Sequence, residues 1–533
     1  MSSIKHAIGI DISTQTITAM LIGVVEENGL PAELIISSAW TESRPCGDEI
    51  SRKDPSVWVK LIAECIADLK RKSRETALAR SIGISTTFPG IFAVLRDGSI
   101  DPRYVSLYDN TDDTGICSEA FEDILGGAEA QTMNRMQPGN MAIGLAHLVK
   151  TQGLDLNDAA AVVPPNTAFA SELLRCAGCP ADPGRLFSDF TQTTISGLYD
   201  FRTAEPVPSG VNDLIKAAMP GIEPGRVREL LPATAPAWRN AVPEPALTDL
   251  RDLLGLPDLV SISIGAGDSS LGALALLGDR DTVINVRGSS DSPMLVIDSP
   301  RPRSSPRETV FHYPLATAAS LADSPWCVVA PMLRSGKVWD WVRGLRFLAG
   351  GENADSELEA LALDALKSKL RSPANTPLRF NTALGGERAP TWDPRAAGSI
   401  TGLIESHSIG DIALAALEGM SATLRSCIEM MEDRYKVRPA KMLVVGGPAK
   451  NMLWNWITQV YTGKRVYATT SSNASLLGAA LLGYGASYDG TEPDNSIARR
   501  LFALSRLASG HPLIAPVAVA PPDEELADMK AEF

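Results

Sequence analysis

Two acidic residues stand in apolar surroundings, where a carboxylate could do chemistry. The first, Asp11, lies in an apolar strand-like run and is followed at once by the polar turn residues Ser13, Thr14 and Gln15. Short polar side chains let the backbone N–H groups of a turn approach an anion, and an adjacent carboxylate can hold a divalent cation there. The pattern therefore indicates either a phosphate site with a metal or an ordinary polar β-turn beside an acid.

The second acid, Asp268, follows a glycine-rich turn and opens an apolar stretch of small residues with helical character. Aspartate at this position is a good helix N-cap. It is equally suited to act as a general base, because a carboxylate near a substrate hydroxyl can accept its proton during phosphoryl transfer. The residues alone leave both interpretations open.

Two further turns could bring backbone close to a ligand. Their residues are Gly288, Ser289 and Ser290 in one segment, and Gly446, Gly447 and Asn451 in the other. Adjacent glycines between a strand and a helix permit close approach to a ligand, although they also serve ordinary packing. GxxxxGK(S/T), the protein-kinase motifs and a GxGxxG after the first strand are all absent, so bound phosphate would need turns of this other kind.

Strand and helix patterns alternate along the chain, which predicts an α/β fold. Strands are predicted at residues 8–12, 34–40, 81–86, 259–264, 281–286, 294–297 and 441–445, and helices at residues 54–69, 451–461 and 474–482. Residues 232–257 are rich in proline and only weakly periodic. The strand–turn–strand pairs at 8–22 and 281–297 have the same form, which hints at two similar half-domains facing one another.

The composition is that of a globular protein of two or three domains: 533 residues, 44% hydrophobic, 21% charged. A net charge of −14 argues against general binding of nucleic acid or of an anionic membrane. Without an apolar run near the roughly 20 residues of a membrane span, or a signal-peptide pattern, we expect a cytoplasmic protein. Cys176 and Cys179 form a lone CxxC that lacks the other ligands of a zinc site, so we expect loop thiols.

The order and spacing of these segments resemble the FGGY family of carbohydrate kinases, from residue 8 to about residue 486. Residues 398–418 fit the family's C-terminal signature, residues 386–394 (GERAPTWDP) resemble its GERxPxxDP segment, and residues 444–480 resemble its adenosine-binding region. The resemblance implies two actin-like, ribonuclease-H-like domains with a cleft between them. It implies domains at residues 1–257 (sugar side) and 258–490 (nucleotide side), and a partly helical tail at residues 491–533.

The resemblance also implies a role for each candidate residue. Asp11 would associate with Mg²⁺, and Asp268 would be the catalytic base that takes the proton of the sugar hydroxyl. The phosphate-binding residues would be Ser13, Thr14, Gln15, Gly288, Ser289 and Ser290, and those binding the nucleotide would be Gly446, Gly447 and Asn451. Thr87, Phe88, Asp109 and Asn110, with Asp268, would bind the substrate. ATP would lie in the cleft.

Several positions depart from the family's pattern. Ser13 replaces a glycine, Thr18 a lysine or arginine, and Ser289 a threonine. The segment GISTTFPG aligns with GISGQMHG of xylulokinases, and LYDN resembles LWND with its last two residues exchanged.

The expected function is that of a divergent, xylulokinase-like transferase that moves the γ-phosphate of ATP to a hydroxyl of a ketopentose-like sugar, with xylulose the first choice. The alternatives are a polyol kinase of the glycerol or erythritol type and a catalytically degenerate regulator that binds sugar or nucleotide. Expected partners are a small sugar or polyol, with no nucleic acid or membrane; a homodimer is left open.

Overall fold

The computed structural model describes residues 3–179, 183–277, 280–301, 309–322, 324–346, 353–371, 378–469, 473–511, 516–523 and 526. The strands are β1 Ser3–Ile12, β2 Thr16–Glu27, β3 Leu30–Pro45, β4 Ala79–Thr86, β5 Gly90–Leu95, β6 Val105–Leu107, β7 Ala159–Val163, β8 Phe187–Asp189, β9 Ala233–Ala235, β10 Ser261–Ile262, β11 Ala266–Gly267, β12 Thr282–Arg287, β13 Asp291–Ile297, β14 Phe311–Pro314, β15 Trp326–Val329, β16 Arg379–Asn381, β17 Ser399–Thr401, β18 Lys441–Val445, β19 Arg465–Thr469 and β20 Val517–Ala518.

The helices are α1 Pro55–Lys72, α2 Glu122–Thr132, α3 Met141–Lys150, α4 Pro165–Cys176, α5 Phe190–Ile195, α6 Ser209–Ala218, α7 Pro224–Leu230, α8 Glu244–Leu254, α9 Asp268–Leu276, α10 Gly336–Arg346, α11 Ala354–Arg371, α12 Ile409–Tyr435, α13 Met452–Thr462, α14 Ala474–Ala486 and α15 Asp494–Ser509. In the part of the chain that the structure describes, no helix is long and apolar enough to cross a membrane.

Two sheets repeat one topology. In the first, the order is β3-β2-β1-β4-β10, with β11 also on β4; in the second, it is β14-β15-β13-β12-β18-β19-β20. Each contains an antiparallel hairpin, β1–β2 or β12–β13, whose first strand also pairs in parallel with a strand from much later in the sequence, β4 or β18. The hint of two similar half-domains is thereby confirmed at the level of topology.

A layer of helices lies between the sheets. Apolar side chains of α9, α14 and α15 form one buried core with side chains from β1 and β2 on one side and from β12, β13 and β18 on the other. The contact with the first sheet is unusually close, because a Cβ atom on Gly9 would lie 2.4 Å from the Leu476 carbonyl oxygen and one on Gly83 would lie 1.8 Å from that of Ala479. Glycine is therefore required at both positions.

Most of the predicted elements are present, and the structure adds others. The predicted strand at 259–264 is reduced to β10, and the chain returns to β4 as β11 directly after Gly265, whose φ is +82°. The proline-rich stretch 232–257 contains the helix α8, which the sequence did not predict. Because β10 and β11 pair with β4, the first sheet extends past the predicted domain limit at residue 257, and the domain division stays a prediction.

The C-terminal tail contains α15. More than half of the tail beyond residue 511 lies outside the described residues.

Candidate functional site

Asp268 is the first residue of α9 and lies where β11 ends beside β4. The N-cap is Gly267 and the Asp268 side chain does not cap the helix, so the N-cap interpretation is wrong. Its carboxylate accepts hydrogen bonds from the Ser269 amide and hydroxyl at 2.6 and 3.2 Å. Burial, followed by the negative charge of Asp11, raises the pKa of Asp268 to about 7. A carboxylate with this pKa is suited to proton transfer near neutral pH.

Asp11 lies in the strand between β2 and β4, opposite Thr18 and Ser85. The Ser475 hydroxyl, at the start of α14, donates to its Oδ2 atom at 3.2 Å. Burial raises the pKa of Asp11, and hydrogen bonding by serine hydroxyls opposes that shift. The two acids therefore lie within each other's electrostatic field. Asp11 is on β1 and Asp268 directly follows β11, and both strands pair with β4.

The donor set around Asp11 fits a hydrated magnesium ion bound together with a phosphate. Among the described residues, no group of three or more Asp, Glu, His or Cys side chains could enclose a metal. Mg²⁺ commonly binds through one or two carboxylates plus substrate phosphates and keeps several of its waters. Asp11, a carboxylate without a cationic partner among the described ion pairs, matches that requirement.

The turn of the first hairpin is closed on itself by Ser13. Its hydroxyl oxygen accepts from the amides of Thr16 at 3.0 Å and Gln15 at 3.4 Å, and its hydroxyl donates to the Thr16 carbonyl at 2.8 Å. Ser13 is not among the residues with positive φ, so the turn does not require glycine there. The serine fits the backbone, and its side chain occupies N–H groups that a phosphate could otherwise use.

The turn of the second hairpin is open to a cavity of about 620 Å³. Four of the predicted residues line this cavity: Gly288, Ser289, Gly447 and Asn451. The predicted phosphate and nucleotide turns of the C-terminal half thus meet in one place.

The remaining predicted residues of these two turns hold them in shape. The Ser290 carbonyl accepts from the Gly288 amide at 2.7 Å. At Gly446, φ is +111° and a Cβ atom would lie 2.1 Å from the Arg287 carbonyl oxygen, so only glycine fits. Asn451, which lines the cavity, also caps α13, because its side-chain oxygen accepts from the Trp454 amide at 2.7 Å.

Two of the predicted sugar-contact residues lie beside Asp268. The Thr87 amide donates to the carbonyl of Ile12 at 3.3 Å, which places it at the end of β1. The Phe88 ring packs against Gly267, where a Cβ atom would lie 2.5 Å away, and makes an edge contact with Tyr313.

The other two predicted sugar contacts lie in a different cavity, of about 420 Å³, whose lining includes neither Asp268 nor Phe88. Asp109 pairs there with Arg52 at 3.0 Å, and the Asn110 amide donates to the Ser106 hydroxyl at 2.8 Å. Their role as sugar contacts stays a prediction.

A buried network behind Asp268 was missed by the sequence analysis. Asp189 accepts from Asn166 at 3.0 Å and from the Thr191 amide at 2.7 Å, while the Thr191 hydroxyl accepts from the Gly267 amide at 3.1 Å. Asn166 also donates to the Ile264 carbonyl at 3.0 Å. Burial raises the pKa of Asp189 to about 7. This network fixes the strand that presents Asp268, and no local sequence signal links residues so far apart.

Part of the chain matches a family model and curated proteins. Residues 285–487 match the C-terminal domain of the FGGY family of carbohydrate kinases. The gluconokinase of Bacillus licheniformis is 28% identical over 276 residues, which are 50% of this chain and 50% of that protein. The chain therefore spans about half the length of this curated relative in the match.

Two solved structures are similar over nearly the whole chain. The gluconate kinase of Lactobacillus acidophilus has a TM-score of 0.71 at 19% identity and covers 99% of this chain and 95% of its own. The ligand-bound xylulose kinase of Lactobacillus acidophilus has a TM-score of 0.72 at 19% identity, with 98% and 95% covered. This likeness confirms the predicted fold class, an α/β fold of two actin-like, ribonuclease-H-like domains.

Proposed function

We propose that this chain is a carbohydrate kinase of the FGGY family and that it transfers the γ-phosphoryl group of ATP to a hydroxyl of a small sugar; residues 285–487 match the C-terminal domain of that family. The observation that carries this proposal is the pair of acids Asp11, on β1, and Asp268, directly after β11, since both of these strands pair with β4. One has a pKa suited to a base, and the other faces it without a cationic partner among the described ion pairs.

Asp268 acts as the general base. The sugar hydroxyl oxygen forms a bond to the γ-phosphorus while the bond from that phosphorus to the bridging oxygen of ADP breaks, and the hydroxyl proton passes to the Asp268 carboxylate. Because the pKa of Asp268 is raised to about 7, the base is active in its ionised form above that pH.

The nucleotide lies in the cavity beside the second hairpin. Gly288 and Ser289 contact the phosphate groups through their backbone, and Gly447, Asn451 and Trp454 line the part that takes the adenosine. Asp11 holds Mg²⁺, which neutralises charge on the phosphates when it is bound. The residues of the chain thus orient nucleotide and acceptor, and closure around them excludes water that would compete for the phosphoryl group.

Xylulose is the first candidate acceptor, from the resemblance of residues 386–394 to the family's GERxPxxDP segment and from the overall layout of the chain. A second candidate is a sugar acid of the gluconate type. Arg388 favours it. Burial lowers the pKa of this guanidinium, the Tyr108 phenol is its electrostatic neighbour, and no ion pair among the described residues includes it. Tyr108 belongs to the LYDN segment, so an uncompensated cation there suits a substrate carboxylate.

ADP release, measured with xylulose, gluconate, glycerol and erythritol in the presence of ATP and Mg²⁺, tests the proposal. We expect turnover with at least one of these acceptors, and a loss of about 10²–10⁴-fold in Asp268→Asn with sugar binding retained. If gluconate is the substrate, Arg388→Met should abolish its binding, whereas the matched variant Arg395→Met, at a 93% exposed side chain, should not. ADP release from none of the acceptors would refute the enzyme and favour the regulator.

A further inference from the structure

The loop that precedes α10 is attached to the turn of the second hairpin along its whole length. The Met332 amide donates to the Asp291 carbonyl at 2.8 Å, that of Ser335 to Ser289 at 3.0 Å, and that of Gly336 to Gly288 at 3.0 Å. Gly336 lines the same cavity as Gly288 and Ser289. The backbone of this loop is therefore held at the edge of the proposed phosphate site, and Arg334 precedes Gly336 on it by two residues.

Arg334 is the cation on this loop, and its guanidinium lies against Gly385 of the neighbouring segment. A Cβ atom on Gly385 would lie 2.7 Å from its Nη2 atom and 3.2 Å from both Cζ and Nε, so the guanidinium occupies the space left by the missing side chain. The two segments are joined by a hydrogen bond from the Ala389 amide to the Pro331 carbonyl at 3.0 Å. The guanidinium is thus fixed between two backbone segments.

Arg334 has no counter-charge within the part of the chain that the structure describes. Its Nε atom is buried and has no hydrogen-bond partner there, and no ion pair includes the residue. The neighbouring Arg343, by contrast, pairs with both Asp340 and Asp355 at 2.7 and 2.9 Å. A buried donor of this kind costs free energy unless a ligand satisfies it.

The charges around the cavity add a second argument. Its lining contains the acids Asp340, Asp355 and Glu359 but a single cation, Lys450. The first hairpin adds little, because Ser13 already binds the amides of its turn. A polyphosphate at this site therefore needs a further cation beside the second turn.

We propose that the guanidinium of Arg334 binds the terminal phosphate groups of the nucleotide and neutralises charge on the phosphoryl group during its transfer. A planar guanidinium suits this task because it can donate two parallel hydrogen bonds to phosphate oxygens. The inference rests on the proposed use of ATP.

Calorimetric titration of the whole protein with ATP, ADP and adenosine in the presence of Mg²⁺ tests this role without any sugar. In Arg334→Met we expect ATP to bind about 10- to 100-fold more weakly than in the wild type. The affinity for ADP should fall by a smaller factor, and the affinity for adenosine should be unchanged. Arg334→Lys should recover part of the lost affinity, since lysine restores the positive charge but cannot donate two parallel hydrogen bonds. The matched control is Arg395→Met, which removes an equal charge from an exposed position on the segment after Gly385.

Unchanged ATP affinity in Arg334→Met would overturn the proposal. So would an equal loss for ATP and adenosine, because that result means a distorted cavity rather than a lost phosphate contact. If Arg334→Met does not fold, the same titrations are made with Arg334→Lys. Equal affinity for ATP in Arg334→Lys and the wild type would contradict a pair of parallel hydrogen bonds from the guanidinium to the phosphate. Failure to phosphorylate any sugar, with phosphate binding still dependent on Arg334, would refute the proposed enzyme and leave this inference standing.

Discussion

The two hairpins occupy equivalent places in the two sheets, yet they use an aspartate in opposite ways. In the first, Asp11 meets only hydroxyl groups and another acid, and its pKa is raised. In the second, Asp291 is 1% exposed and pairs with Arg287, which is fully buried. One carboxylate is left available, and the other is neutralised inside the protein.

Arg287 shows what the second arrangement achieves. Its guanidinium stacks 4.1 Å from the Trp454 ring centroid and donates to Asn455 at 2.9 Å and to Thr458 at 3.0 Å. The hairpin is thereby attached to α13, the helix that lines the cavity. The comparison teaches that hairpins at the same place in the two sheets serve chemistry in one half and rigidity in the other.

Replacement of Asp11 by asparagine tests the chemical half of this comparison and should have the largest effect. We expect turnover to fall about 10²–10³-fold, because a group that acts on developing charge is lost. The residual pH–rate profile should also shift. Since the charge of Asp11 helps to raise the pKa of Asp268 to about 7, its removal should lower that pKa. The increase of turnover rate with pH should then occur at lower pH than in the wild type.

The control is the unfolding free energy of the Asp11→Asn protein, which should be unchanged or higher. Burial disfavours the ionised Asp11 carboxylate in the folded protein, so its removal costs no stability. A substantially less stable Asp11→Asn protein would contradict an available acid in the first hairpin.

Replacement of Asp291 by asparagine tests the structural half. The change leaves the buried Arg287 without its counter-charge, which typically destabilises a protein by about 3–5 kcal/mol. Chemical denaturation would measure this loss, and Arg287→Met combined with Asp291→Asn should recover part of it. Wild-type stability in the single variant would show that the pair does not hold the hairpin.

The smallest effect is expected from Ser13→Ala, which should make the first turn more like the second. Loss of the hydroxyl frees the amides of Gln15 and Thr16, so ATP affinity should rise about two- to tenfold, the value of one such hydrogen bond. Ser289→Ala is the matched change in the other turn and should give no gain. A weaker affinity for ATP in Ser13→Ala would mean that the hydroxyl itself contacts the phosphate.

The sequence predicted the elements whose signals are local. The helix predicted at residues 54–69 is α1, which Asp54 caps by accepting from the Ser56 amide, and the predicted strand at 441–445 coincides with β18. These features depend on capping chemistry and on short apolar runs, which neighbouring residues determine.

The features that the sequence could not supply depend on tertiary contacts. Helix α8 was hidden because prolines flank an amphipathic stretch of only three turns. Asn166 and Asp189 come to Asp268 through separate elements, and Arg334 acquires its place from the hydrogen bonds of its loop. Ser475 lies in the region, residues 444–480, that resembles the family's adenosine-binding region. In the structure its hydroxyl contacts Asp11 in the other half of the protein.

The close approach of α14 to the first sheet has a mechanical consequence. At Gly9, Gly83 and Gly478, backbone meets backbone, joining the sheet, α14 and α9 with almost no compressible side-chain volume. The second sheet meets these helices through longer side chains such as Ile284, Met294 and Leu443. We therefore expect Asp11, Ser475 and Asp268 to move as parts of one rigid body, so that opening of the proposed cleft would change their distance from the second hairpin and not their distances from one another.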